Sequence, residues 1–240
     1  EHGQREEACR IARLHSQNSF FIELLRQSLR AWFRAGEAEP VFYWSHELGS
    51  STLMVIPETR FAWSWALTMF GEFNRAEQVI RENCVHDDRA LHLLFESQQP
   101  QELGTILLLA IIKLFRGELL PSWIAQLQQR YNQPDMSIDQ RATLDNVFAQ
   151  YAIHHCHFRE ARQHAGQALQ MWDRTGNLFG QSLSRYLNAN AAYQNNDLKT
   201  ALEACQQYLD QRQSPETSSA RALLEGFRAF LLYQADQPLQ

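Results

Sequence analysis

Apolar residues recur along this chain at spacings of about three and four positions, the pattern of amphipathic helices that bury one face. Alternating runs of β-branched residues, and hairpin turns of the Asn-Gly or Asp-Gly type, do not occur in the sequence. Residues that favour helix dominate instead: Ala, Leu, Gln, Glu and Arg. The pattern therefore predicts an all-α protein.

Short turns of one kind interrupt the predicted helices, and their first residues lie about 35 to 46 positions apart, mostly close to 40. A Gly or Asn at such a turn ends one helix by adopting a left-handed backbone, and an acidic residue is favourable at the start of the next helix. The turns are Gly36-Glu37-Ala38, Gly71-Glu72-Phe73, Gly117-Glu118-Leu119, Cys156-His157-Phe158, Asn196-Asp197-Leu198 and Ala235-Asp236-Gln237. Each turn predicts a helix hairpin.

A small residue follows the apolar member of the turn by three positions in the clearest copies. These residues are Ala76, Ala161 and Ala201, with Ser122 in the same place after Leu119. A small side chain there lets the second helix of a hairpin approach the first closely. One hairpin cannot bury its apolar stripe alone, so we expect the hairpins to stack into an α-solenoid.

The first helices of the hairpins are predicted at 58–70, 103–116, 139–155 and 178–195, and the second helices at 73–83, 119–131, 158–174 and 198–212. Residues 5–35 and 38–48 read as one poorer copy, and an inserted helix is expected within 84–102. No low-complexity tract or linker divides the sequence. We therefore expect a single α-solenoid domain over 1–240, with about five hairpins and a truncated last one.

Composition limits the classes of function. The 240 residues carry a net charge of −5 without clustered Lys and Arg, which disfavours a nucleic-acid surface. The longest apolar run, Ile106 to Leu114, includes Lys113 and is about half as long as a membrane span. The four Cys lie far apart and no signal peptide is found, so we expect a cytoplasmic protein without a membrane partner. Because the chain begins with Glu1, we expect it to be part of a longer protein.

The densest group of candidate metal ligands is His154-His155-Cys156-His157, with His164 further along the chain. Zinc binds Cys and His, but this group straddles a predicted turn and has no second pair at ligand spacing, so a structural interpretation is preferred. The sequence also lacks the glycine-rich phosphate loop of nucleotide-binding enzymes and the serine elbow of hydrolases. No metal, cofactor or catalytic residue is predicted, and the chain is not expected to be an enzyme.

With the turns as anchors, the hairpins resemble tetratricopeptide repeats, although the period is nearer 40 residues than 34. The small residue expected in the middle of each first helix is present as Ser64, Ala110, Ala149 and Ala189. The Trp expected early in the repeat is absent. The resemblance implies a right-handed α-solenoid of tetratricopeptide-like helix hairpins.

A narrower resemblance concerns a family of regulators. The segments 61–67 and 71–77, preceded by Val55-Ile56-Pro57, look like the start of the helical sensor region in MalT-like, large LuxR-type ATP-dependent bacterial transcription regulators. The segment from Ala161 to Gly180, with Gly176-Asn177 before the next helix, is similar to the repeat junction of that family. The resemblance covers about residues 20 to 235.

The second resemblance implies a bacterial sensor and oligomerisation module that binds a small-molecule effector or a regulatory protein or peptide. Family members carry an ATPase module upstream and a helix-turn-helix domain downstream. Neither module is found in these 240 residues, so contact with DNA is expected only through a domain outside this chain. Formation of a homo-oligomer is also expected, because an open solenoid end exposes apolar surface. The alternative is a stand-alone tetratricopeptide-like scaffold for protein–protein interaction, with no role in transcription.

Tetratricopeptide-type solenoids bind ligands on the concave face, which the first helix of each hairpin lines. Carried onto this sequence, that pattern predicts a ligand-binding face at Phe61, Trp65, Asn146, Gln150, His154, Tyr186, Asn190 and Tyr193. Aromatic rings beside amides suit a sugar, a peptide or a small aromatic effector. The competing interpretation is that such aromatics belong to the core. The amides of Asn188, Asn190, Asn195 and Asn196 fit a core less well, because buried amides need partners.

Overall fold

Twelve helices make up the part of the chain that the structure describes, and no strand occurs among those residues. The computed structural model describes residues 2–15, 18–35, 37–47, 57–84, 100–118, 121–211 and 219–236. The helices are α1 (His2–His15), α2 (Asn18–Ala35), α3 (Ala38–Glu47), α4 (Pro57–Met69), α5 (Phe73–Cys84), α6 (Pro100–Phe115), α7 (Pro121–Tyr131), α8 (Ile138–His154), α9 (Phe158–Thr175), α10 (Leu178–Gln194), α11 (Leu198–Gln211) and α12 (Ser219–Ala235). None of these described helices combines the length and the apolar character that a bilayer crossing requires. The all-α prediction is confirmed.

The chain divides into two compact units, Glu1–Leu91 and His92–Gln240. Unit 1 contains α1 to α5, and unit 2 contains α6 to α12. The stretch 5–35, predicted as the first member of a poorer hairpin, forms the two helices α1 and α2. Gly36 and most of the region expected to hold an inserted helix, 85–99, lie outside the described residues. One continuous domain over 1–240, and the hand and period of a solenoid, remain predictions.

Aromatic packing holds unit 1 together. In that unit α2 packs against α1, α3 and α4, while α5 packs against α4. Phe33 of α2 meets Phe61 and Trp65 of α4 edge-on, with ring centroids 5.6 and 4.9 Å apart. Trp32 and Trp44 are buried within the same unit. Such edge-to-face pairs add about 0.5–1.5 kcal/mol to the free energy of apolar burial.

Consecutive hairpins stack in unit 2. Each helix from α8 to α12 packs against the next one along the chain. In addition α8 packs against α10, and α10 against α12, so the first helices of successive hairpins are neighbours. Alanines fill much of the interface between α8, α9 and α10, including Ala149, Ala152, Ala161, Ala165 and Ala191. This arrangement is repeat-like, as the spacing of the turns predicts.

A residue with left-handed backbone ends the first helix at four of the predicted turns: Gly71 (φ 75°), Gly117 (φ 69°), Cys156 (φ 60°) and Asn196 (φ 59°). The residue that follows donates its N–H to a carbonyl in the last turn of the helix. His157 donates to Ala152 at 2.8 Å, and Asp197 donates to Ala192 at 2.9 Å. These bonds satisfy carbonyls that would otherwise lack partners at the helix end. The predicted role of the turn residues is confirmed, with Cys156 standing where Gly is usual.

The small residue after the turn is fully buried in three hairpins. Ala76, Ala161 and Ala201 are each 0% exposed, so the second helix meets the first through its smallest side chain. The small residues in the middle of the first helices, Ser64, Ala110, Ala149 and Ala189, are also 0% exposed. The prediction is wrong for Ser122, which is exposed. The described part of α7 begins at Pro121, and Ser122 lies on its exposed side, away from the neighbouring helices.

The junction between α9 and α10 is built from sequence-specific caps. Gly176 (φ 69°) ends α9, and the side chain of Asn177 caps α10 by accepting the N–H of Gly180 at 2.9 Å. The backbone of Gly180 lies against the buried indole of Trp172 on α9. A Cβ atom at Gly180 would overlap that ring, with Cγ of Trp172 only 2.8 Å away. Only glycine fits at this position without a shift of the neighbouring atoms.

We expect Gly180→Ala to lower the free energy of unfolding of unit 2 by about 1–3 kcal/mol, because the added methyl group would force the Trp172 indole or the α10 backbone to shift. Gly166→Ala is the matched control, since a Cβ atom at this α9 glycine meets nothing within 4 Å. That variant should be more stable by about 0.5–1 kcal/mol, the ordinary gain of Ala over Gly in a helix. Urea unfolding followed by circular dichroism measures both, and equal effects would contradict the close contact.

Candidate functional site

The predicted ligand face is most complete on α10. Asn190 lies between Tyr186 and Tyr193 on one side of the helix, because residues three or four positions apart are neighbours there. Both tyrosine rings contact Phe227 of α12, at centroid distances of 4.9 and 6.4 Å, and Tyr193 also contacts Phe230 at 5.4 Å. Burial raises the pKa of Tyr186. The side chain of Asn190 is half-buried and makes no hydrogen bond with the described residues.

The predicted residues of α8 differ in accessibility. Asn146 is 4% exposed, and its side-chain oxygen accepts a 2.8 Å hydrogen bond from Ser184 of α10, which ties the two helices together. Gln150 is half-buried and His154 is exposed. The amide nitrogen of Gln150 lies 3.1 Å from Nε2 of His154, and donation to that atom requires the neutral imidazole with its proton on Nδ1. Gln150 and His154 therefore form a polar pair on the accessible side of α8.

The remaining two predicted residues belong to unit 1. Trp65 is 3% exposed and packs against Phe33, so its ring is part of the core of that unit. Phe61 is half-buried beside the same phenylalanine. Burial gives Trp65 and Asn146 packing roles, and it does not favour the ligand contact predicted for either. That contact stays a prediction for all of the predicted residues.

Unit 2 also carries an open groove of about 1010 Å³. Residues from the first half of α9, the turn before it and the second half of α10 line this groove, and most of them are polar. They are Cys156, His157, Phe158, Arg159, Glu160, Arg162, Gln163, Asn188 and Asn195. Among the predicted amides, Asn188 and Asn195 thus have a common surface location.

Arginines dominate the charge in the groove. The guanidinium of Arg162 donates through Nε to the side-chain oxygen of Asn188 at 3.1 Å, which fixes its orientation and leaves its terminal nitrogens available. Arg159, one turn earlier on α9, forms no ion pair with the described residues. The carboxylate of Glu160 lies near two histidines, 3.6 Å from Nδ1 of His157 and 4.0 Å from Nε2 of His164. The groove therefore offers two guanidinium groups that no carboxylate among the described residues neutralises by direct contact.

The groove and the predicted face use opposite sides of α10. Successive residues of an α-helix are rotated by about 100°, so Asn188 and Asn195 project in nearly the same direction. Tyr186, Asn190 and Tyr193 project roughly half a turn away from that direction. One helix thus contributes to two separate surfaces of unit 2.

A buried polar network lies behind the groove. Asp145 of α8 is fully buried, and its two carboxyl oxygens accept hydrogen bonds from Tyr131 of α7 at 3.0 Å and from Nδ1 of His164 on α9 at 2.7 Å. Through Nε2, His164 faces Glu160 at the groove. Burial, together with the charge of Asp145, raises the pKa of Tyr131 to about 12. The network connects three helices of unit 2 by groups that would be costly to leave unpaired.

The His-rich turn distributes its side chains among different partners. His154 pairs with Gln150, Nδ1 of His155 donates to the carbonyl of Tyr151 at 2.9 Å, and His157 faces Glu160. Within the described ranges, no group of three or more His, Cys, Asp or Glu side chains is placed to hold a metal ion.

Comparison of this chain with protein-family models, with curated proteins and with solved structures found no significant match.

Alkaline pH should destabilise unit 2 through Tyr131. The folded-state pKa of about 12 exceeds the ordinary value of 10, so between these pH values the unfolded chain loses the phenolic proton while the folded chain keeps it. The stability contributed by this group is complete below about pH 10 and is lost as the pH rises toward 12. In urea unfolding measured from pH 9 to 12, Tyr131→Phe should show a shallower decline than the wild type. Parallel curves would contradict the prediction.

Thiol labelling should distinguish the three cysteines whose side chains the structure describes, Cys9, Cys156 and Cys205. Cys156 is exposed, whereas Cys9 and Cys205 are fully buried. Burial raises the pKa of both buried thiols, that of Cys205 to about 11, so the reactive thiolate is scarce at neutral pH. Under native conditions iodoacetamide should modify Cys156 first, as peptide mapping by mass spectrometry would detect, and in urea all three should react. Native labelling of Cys205 at the rate of Cys156 would contradict the packing of α11.

Proposed function

We propose that this chain is a sensor module made of stacked helix hairpins, which binds a small polar effector on the face formed by α8 and α10. That face consists of Gln150, His154, Tyr186, Asn190 and Tyr193. The observation that carries the proposal is the half-buried amide of Asn190, which has no hydrogen-bond partner among the described residues and shares one side of α10 with Tyr186 and Tyr193. A ligand that supplies the partner gains a hydrogen bond, and the rings supply contact area.

The chain acts in this proposal by binding and not by catalysis. The polar groups near the face are amides, phenols and one imidazole, and His154 is engaged with Gln150. The thiols of Cys9 and Cys205 are buried with raised pKa values, which is unsuitable for a nucleophile.

A role in bacterial transcription control is the specific form of the proposal. It is supported by the resemblance of the segments around Trp65 and Gly176-Asn177 to the sensor region of MalT-like LuxR-type regulators. In that role the effector would act in the cytoplasm and would change the self-association of the module. Contact with DNA would be made by a domain outside this chain.

The test is a thermal-shift screen of sugars, nucleosides and aromatic metabolites, followed by calorimetry on each compound that binds. Asn190→Ala should weaken binding by about two- to tenfold, the effect of one lost hydrogen bond. Gln170→Ala is the control, because it removes an exposed side-chain amide of α9 that belongs to neither proposed surface. Binding of no compound, or equal weakening by both substitutions, would contradict the proposed face.

The second candidate is a scaffold for protein–protein interaction, and exposed apolar residues on α12 favour it. Phe230, Leu232 and Tyr233 are 42%, 44% and 62% exposed. They could contact a partner protein or a second copy of this chain. If no metabolite binds in the screen, binding of a peptide from a library at a site sensitive to Tyr233→Ala would select the scaffold over the sensor.

A further inference from the structure

We propose that the polar groove between α9 and α10 is a second binding site, which takes the phosphate group of a small phosphorylated molecule. The site is independent of the proposed effector face, because its residues lie on the opposite side of α10. Its phosphate-binding groups are Arg159 and Arg162, and its amide groups are Gln163, Asn188 and Asn195.

Two guanidinium groups supply the positive charge of the proposed phosphate site. Arg159 and Arg162 are one helical turn apart on α9, so their side chains start about 5–6 Å from each other. Neither has a carboxylate partner in direct contact among the described residues. Asn188 holds Nε of Arg162 and so presents the terminal nitrogens of that side chain in a fixed direction. Arginine pairs of this kind match the oxygens of phosphate in charge and in fork geometry.

A dianion fits this site better than a monocarboxylate. Arg159 and Arg162 make no direct contact with a carboxylate among the described residues, so the groove is locally richer in positive charge than the chain as a whole, whose net charge is −5. Glu160 is the groove's carboxylate, and it contacts His157 and His164 instead of either arginine. Hydrogen bonds with Thr200 lower the pKa of Asp197, in the turn after α10, and the charge of Arg162 lowers it slightly further. A phosphate monoester carries a charge of about −1.5 to −2 on three terminal oxygens, so it can accept from both arginines and match their combined charge, whereas a carboxylate carries a single charge.

The side-chain amides of the groove indicate which groups the ligand carries besides its phosphate. Side-chain amides donate and accept hydrogen bonds, so Gln163 and Asn195 suit the hydroxyl or amide groups of a polar small molecule. The volume of about 1010 Å³ is at the upper end of the range for small-molecule sites. The groove can therefore hold an organic phosphate with ordered water around it.

Calorimetry with ribose 5-phosphate, glycerol 3-phosphate and AMP tests the site, with ribose, glycerol and adenosine as partners that lack the phosphate. At least one phosphorylated probe should bind, and its unphosphorylated partner should not. The double variant Arg159→Gln with Arg162→Gln should weaken binding by about tenfold, since each exposed charge pair contributes modestly. Binding should also weaken as salt is raised from 0.05 to 0.5 M.

Arg174→Gln is the control, because this exposed arginine is on the same helix about 18 Å from Arg162 along its axis. It should leave binding unchanged, as should Asn190→Ala on the proposed effector face, so failure of one site is distinguishable from failure of the other. Absence of binding by all three phosphates would overturn the proposal, as would equal loss in Arg174→Gln. Inorganic phosphate or sulfate binding as tightly as the organic phosphates would also overturn it, because the amides would then have no role.

Discussion

The close approach of two helices through a short turn is the constraint on which unit 2 depends. The turn at Cys156 works only if one residue accepts a left-handed backbone, since this geometry lets His157 bond back to the carbonyl of Ala152. The chain then needs a side chain no larger than a methyl group four residues into α9, where Ala161 is fully buried. The same combination occurs at Asn196 and Ala201, which is why the second hairpin repeats the first.

Buried polar contacts then fix how one hairpin lies on the next. Alanine interfaces permit sliding, because small side chains interlock weakly, whereas a buried hydroxyl or carboxyl group loses free energy in any register that leaves it unpaired. Ser184 bonds to Asn146 across α8 and α10, and Ser182 bonds to the hydroxyl of Tyr208 across α10 and α11, both at 2.8 Å. Asp145 joins α7, α8 and α9 in the same way. Packing thus stabilises the stack, and these hydrogen bonds fix the register of one hairpin on the next.

Local features were predictable from the sequence, and features that depend on contacts between distant residues were not. The turn residues and Ala161 could be placed because a fixed spacing relates them to one another. Trp65 and Asn146 show the limit, since helical spacing identifies a face but does not tell which face a neighbouring helix covers. The groove was missed because Arg162 and Asn188 meet only after α9 folds back on α10. The recurrent surface amides Asn188 and Asn195 were its one signal in the sequence.

The two surfaces of α10 follow from its place in the stack. The helix packs against α8, α9, α11 and α12, and two of its sides have a different chemistry. On one side tyrosines lie against Phe227 and leave the amide of Asn190 as the main polar group. On the other side Asn188 orients an arginine from α9. A ligand on either side would contact residues of two helices at once, so its binding free energy would depend on the angle between them.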